Sequence, residues 1–161
     1  MSGRARHGDQ PTVAAPVPPD DPDAWYAPEV REQNEIHPGV VVTVRHHGGF
    51  HYEVREPPIT GDDRATLATV ESYFDGANID RPRTREGAVE RMEMGFDPKH
   101  RRVIDRLVDC SPAARRRVAY HALCSLACLG ELTPYALDDR IEVADAGESG
   151  IVVHTEKYAP A

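Results

Sequence analysis

Lysine is almost missing from this 161-residue chain. Of its 19 basic residues only Lys99 and Lys157 are lysine; the rest are arginine. Arginine grips carboxylate and phosphate through a rigid fork, but scarce lysine beside abundant Asp, Glu, Ala and Val also marks a salt-adapted composition. There a net charge of −8 favours solubility, and salt screens the self-repulsion. No apolar run approaches the roughly 18 residues that a membrane span needs. The first ten residues are polar and lead into no apolar segment, which excludes a secretory signal and implies a cytoplasmic protein. The three cysteines, Cys110, Cys124 and Cys128, are odd in number and argue against a disulfide framework. Internal repeats and βαβ alternation are also missing, which excludes solenoids and parallel α/β folds.

What is present divides the chain into four stretches. Residues 1–24 carry Pro11, Pro16, Pro18, Pro19 and Pro22 among acids, with little to bury; the composition predicts a disordered tail. Residues 25–58 predict a β-hairpin: Val40–Val44 is a β-branched run, His46-His47-Gly48-Gly49 a turn, and Phe50, Tyr52 and Val54 alternate with polar residues. Residues 59–131 predict four helices. Their starts are marked by Thr60 with Asp63, by Thr84, by Asp97-Pro98 and by Ser111-Pro112, and their ends by Gly76, Gly95 and Gly130. Residues 132–161 predict a helical turn at Leu132–Leu137 and then a second hairpin around residues 146–150. The fold class expected is α+β.

The stretch from Tyr52 onward resembles the N-terminal region of archaeal type II/IV secretion ATPases, the motors of archaella and archaeal type IV pili. The resemblance rests on Tyr52-Glu53-Val54-Arg55-Glu56-Pro57-Pro58, on Arg81-Pro82-Arg83-Thr84-Arg85-Glu86 and on Leu132-Thr133-Pro134-Tyr135-Ala136-Leu137-Asp138-Asp139. Ile141-Glu142-Val143-Ala144-Asp145 and Gly150-Ile151-Val152-Val153-His154-Thr155-Glu156-Lys157-Tyr158 complete it, in the family's order. It implies a docking and assembly role, with motor ATPase subunits and a membrane platform protein as partners. It also implies that the second hairpin begins a sheet which later family sequence completes, so the segment from about Ala136 is expected to be loosely held. A Walker A loop requires Gly-x-x-x-x-Gly-Lys-Ser/Thr, and no Gly-Lys pair occurs in these 161 residues. The expectation is a truncated or stand-alone portion without ATPase activity and without a cofactor, or a non-functional gene remnant.

Three constellations carry chemistry of their own. His121, Cys124 and Cys128 share one face of an ideal helix and could supply three zinc ligands; buried cysteines packed as small hydrophobes are the preferred reading. His46, His47 and His51 gather at a turn, where exposed histidines need no metal to explain them. Residues 81–117 hold 11 Arg or Lys against 6 Asp or Glu, a net of +5 against −13 for the remainder. Arg81, Arg83, Arg85, Arg115, Arg116 and Arg117 are therefore candidate partner-binding residues. They are read as surface groups, so changing Arg115, Arg116 and Arg117 together to Gln is expected to leave the melting temperature nearly unchanged. Helices followed by a hairpin also describe a winged-helix DNA-binding module. Acidic residues along the second hairpin, among them Asp138, Asp139, Glu142 and Asp145, would repel phosphates and oppose that alternative.

Overall fold

A computed structural model describes residues 30–158. Three strands, β1 (Val30–His37), β2 (Val40–His46) and β3 (Phe50–Arg55), form an antiparallel meander in that order. Five helices follow: α1 (Gly61–Tyr73), α2 (Arg85–Met94), α3 (Pro98–Leu107), α4 (Pro112–Ala122) and the short α5 (Thr133–Leu137). A separate two-stranded sheet, β4 (Ile141–Gly147) with β5 (Gly150–Thr155), completes the described residues. The fold is α+β, as the pattern predicts. The expected tail at 1–24 lies outside the described residues.

The first sheet has one strand more than expected. β1 reads Val-Arg-Glu-Gln-Asn-Glu-Ile-His and shows no clean alternation, because it is an edge strand with two register shifts against β2. Its outer backbone groups need no neighbour and its side chains are mostly wet, so the usual apolar signature is lost. Gly39, at φ 83°, takes the left-handed turn that returns the chain from β1 into β2.

The helix boundaries follow local chemistry closely. Thr60 Oγ1 accepts from the Asp63 N–H while Asp63 Oδ2 accepts from the Thr60 N–H, a complete capping box on α1. Thr84 and Ser111 cap α2 and α4 through the N–H groups of Gly87 and Ala114. Asp97 stands at the cap position of α3 but makes no such bond. Beyond Ala122 the helix continues as a π-helical turn over Leu123–Ala127, and Gly130 turns the chain at φ 60°. One apolar core joins Val40 and Val54 of the sheet to Val70, Ile104 and Val118 of the helices.

Two polar contacts lock distant elements together. Arg117 on α4 is buried and donates from Nε to Asp63 Oδ2 at 2.9 Å, with Nη2 3.4 Å from Oδ1. The expectation of three surface arginines at 115–117 is therefore corrected: Arg117 is an internal pairing group. The second contact centres on Asp138, 1% exposed, which accepts from Tyr52 Oη at 2.6 Å and from Arg140 Nε and Nη2 at 2.8 and 2.7 Å. Arg140 Nη1 also reaches Glu32 of β1 at 2.8 Å. The loosely held segment expected beyond Ala136 is thus pinned to the first sheet, although neither outer edge of β4–β5 pairs with another described strand.

Hydrogen bonds from Arg117 hold the Asp63 carboxyl below the usual carboxylate range, outweighing its burial. Burial alone would raise the Asp138 carboxyl, but hydrogen bonds from Arg140 and Tyr52 overcome it and leave that group lowered too. Both stabilising contributions are complete above the unfolded value of about 3.9 and vanish as pH falls through the lower folded values. Equilibrium denaturation is expected to give a midpoint that falls steeply below about pH 4. In the Asp63→Asn/Asp138→Asn double variant the midpoint starts lower and the fall is shallower. An equally steep fall in that variant would assign acid lability to other groups.

Candidate functional site

A cleft of about 850 Å³ is bounded by α2, α3, α4 and the β1–β2 turn. That volume lies within the ~300–1,000 Å³ usual for binding pockets. Its floor is apolar, made by Met92 of α2, Ile104 of α3, Tyr120 of α4 and Leu123 of the π-helical turn, together with Phe96 from the α2–α3 connection. Gly95 ends α2 at φ 75° and lets Phe96 turn into the cleft wall. His37 and Pro57 close the sheet side.

The rim is cationic. Arg101, Arg115 and Arg116 line it with a single carboxylate, Asp105. Two of the three are held in place. Arg101 Nη2 donates to the carbonyls of Met94 and Phe96, both at 3.2 Å. Arg115 Nη2 donates to the Val108 carbonyl at 3.1 Å, and its Nη1 stands 3.6 Å from Asp105. A guanidinium fixed through one nitrogen keeps donors for an incoming carboxylate and loses little freedom on binding. Arg116 is exposed. Tyr120 donates to Glu56 at 2.8 Å, so the sheet-to-helix connection supports the cleft from behind. Burial keeps the His37 imidazole below its usual value, against the pull of Glu93 and Glu35, which leaves the sheet side of the cleft uncharged near neutral pH.

The sequence candidates divide on this geometry. Arg115, Arg116 and Arg117 all border the cleft, but Arg117 is committed to Asp63 beneath it. Arg81 and Arg83 are exposed and do not line the cleft, and Arg85 donates to the Ile141 carbonyl, tying α2 to β4. Arg101, Phe96 and His37 were not singled out from sequence, since each becomes part of a site only when three elements meet.

The zinc candidates do not form a ligand set. His121 Nε2 is 2.7 Å from the Pro57 carbonyl, and Cys124 and Cys128 are buried in the core. Burial pushes the Cys124 thiol up to about 12, far from the thiolate that zinc requires. Spacing arguments assumed 3.6 residues per turn, whereas Leu123–Ala127 is wound as a π-helix. His46, His47 and His51 are exposed at the β2–β3 turn, with His51 Nε2 3.0 Å from the His47 carbonyl. Among the described residues no group of three or more His, Cys, Asp or Glu is arranged to hold a metal ion. No helix there is long and apolar enough to cross a membrane.

Comparison with protein-family models, with curated proteins and with solved structures gives no match in any of the three.

Proposed function

We propose that this chain is a docking and assembly module of the archaeal secretion or type IV pilus motor kind, and that the arginine-rimmed cleft receives a motor subunit or the membrane platform protein. The cleft carries the docking half of this reading: an apolar floor supplies affinity, and three arginines set against one aspartate select an acidic surface. The motor half rests on the ordered sequence pieces from Tyr52 to Tyr158.

The test is binding of the chain to a purified full-length motor ATPase. Arg101→Gln/Arg116→Gln should weaken binding about tenfold or more, the equivalent of roughly 1.4 kcal/mol. The melting temperature should stay within about 2 °C, since exposed charges contribute little to stability. Affinity should also fall with added salt. Unchanged binding by the double variant would remove the cleft from the interface, and no binding by the unaltered chain would remove the motor partner.

The chain by itself is expected to show no steady, saturable ATP hydrolysis in a phosphate-release assay, because no Walker A lysine occurs in these 161 residues. Turnover that survives rigorous purification would require a phosphate site of another kind.

A further inference from the structure

The backbone around the cleft has little to offer an extended chain. Pro38 and Pro57, on the sheet side, carry no N–H to pair with a strand laid beside them. Loop carbonyls nearby are already engaged: Arg101 donates to those of Met94 and Phe96, Arg115 donates to that of Val108, and the Pro57 carbonyl stands 2.7 Å from His121 Nε2. Met92, Ile104 and Tyr120 on the floor lie within α2, α3 and α4, whose backbone groups are spent on helical bonds. A segment that buries its backbone here must satisfy its own N–H and C=O groups, which an α-helix does and a single strand does not.

The cations are spaced along the α3 side. Arg101 stands near the start of α3, and Arg115 is tied to Val108, just past its end. Val108 lies seven residues after Arg101, which is about 10 Å of helical rise. Asp105 lies between them, 3.6 Å from Arg115 Nη1. The sheet side, His37 with Pro38 and Pro57, carries no charge near neutral pH.

We propose that the partner enters this cleft as an amphipathic α-helix with its apolar stripe on the floor. Along one flank it carries two carboxylates seven residues apart, one for Arg101 and one for Arg115, and none between them. Two helical turns place such carboxylates about 10.5 Å apart on one side of the partner, which matches the spacing of the arginines. A carboxylate at the intervening turn would face Asp105 instead. This inference rests on the docking half of the proposed function and not on the motor half.

The probes are fluorophore-labelled, hydrocarbon-stapled helical peptides, and fluorescence polarisation reads their binding to the full chain. The first carries leucines at i, i+3, i+4 and i+7 and glutamates at i+1 and i+8. It should bind saturably at micromolar concentrations. Changing both glutamates to glutamine, moving the second to i+5, or exchanging the staple for a central proline should each weaken binding about tenfold or more. These changes leave the protein untouched, so no loss of fold can mimic them. On the protein, Arg101→Gln/Arg115→Gln should weaken the glutamate peptide about tenfold and the glutamine peptide hardly at all. Arg83→Gln, exposed and away from the cleft, should change neither. The proposal is overturned if the glutamate peptide does not bind saturably, or if the glutamine, i+5 or proline peptide binds as tightly. If the peptides behave as expected and a full-length motor ATPase does not bind, the motor reading falls and the helix site stands. If the motor ATPase binds but the glutamate peptide neither binds nor competes, the docking reading holds and the helix inference falls.

Discussion

Arg117→Gln is expected to lower the unfolding free energy by about 3 kcal/mol or more, whereas Arg116→Gln, at the adjacent but exposed position of the same helix, should change it by less than about 0.5 kcal/mol. The difference follows from burial. The side chains of Arg117 and Asp63 are 9% and 5% exposed, and they meet at 2.9 Å. Removing one partner strands the other charge out of water, a loss larger than the net worth of the intact pair. Asp63 has a second task, since its carboxylate also closes the capping box of α1. Arg117→Gln therefore loosens the start of α1 as well as the α1–α4 contact. For a domain of this size the melting temperature should drop by about 10 °C or more. Thermal denaturation of the two single variants decides it. Equal, small shifts would mean that Arg117 is solvated in solution and that the pair contributes no more than a surface bridge.

That result would separate two kinds of information in the same Arg115-Arg116-Arg117 run. The run itself is visible in sequence; which member turns inward is not, because Asp63 lies 54 residues earlier. Local chemistry was legible at most helix starts, where the signal depends on residues three apart, although Asp97 makes no cap bond. Thr60, Thr84 and Ser111 cap helices where expected, and Gly95 and Gly130 take the positive φ values that end or turn them. β2 and β3 were legible because one face of each is apolar. β1 was not, since an edge strand satisfies its polar residues with water and shows no period to read. The π-helical turn at Leu123–Ala127 was also hidden, and with it the reason that His121, Cys124 and Cys128 do not act as one face. The cleft had half a signature. Arg115 and Arg116 stood out by charge, while Phe96, Arg101 and His37 acquire meaning only from the crossing of α2, α3, α4 and the β1–β2 turn.

Hydrogen exchange of the second hairpin should be graded along its length and controlled from one residue. The base of β4–β5 is anchored: Ile141 and Val153 are buried, Thr155 exchanges side-chain and backbone hydrogen bonds with Tyr158, and the Tyr158 ring meets Phe50 at 4.9 Å. The far end, from Asp145 to Gly150, is exposed and touches no core cluster. A two-stranded hairpin is marginal in isolation, so its protection must come from this anchored end. Asp138 is the centre of the anchor. It holds Tyr52 across 86 residues of sequence and fixes Arg140, which reaches Glu32 of β1. Asp138→Ala leaves the Tyr52 hydroxyl without its acceptor and Arg140 without its nearest carboxylate, at a cost of about 3 kcal/mol. A local opening made easier by that amount corresponds to roughly 100-fold faster exchange. In the unaltered chain, amides of residues 141–144 and 152–155 should therefore exchange slowly and those of 146–150 quickly. In Asp138→Ala the first two groups should accelerate about 100-fold, with α1 and α4 affected less. Fast exchange throughout 141–155 in the unaltered chain, at concentrations where it is a monomer, would show that the anchor does not hold in solution and that the open strand edges govern this segment instead.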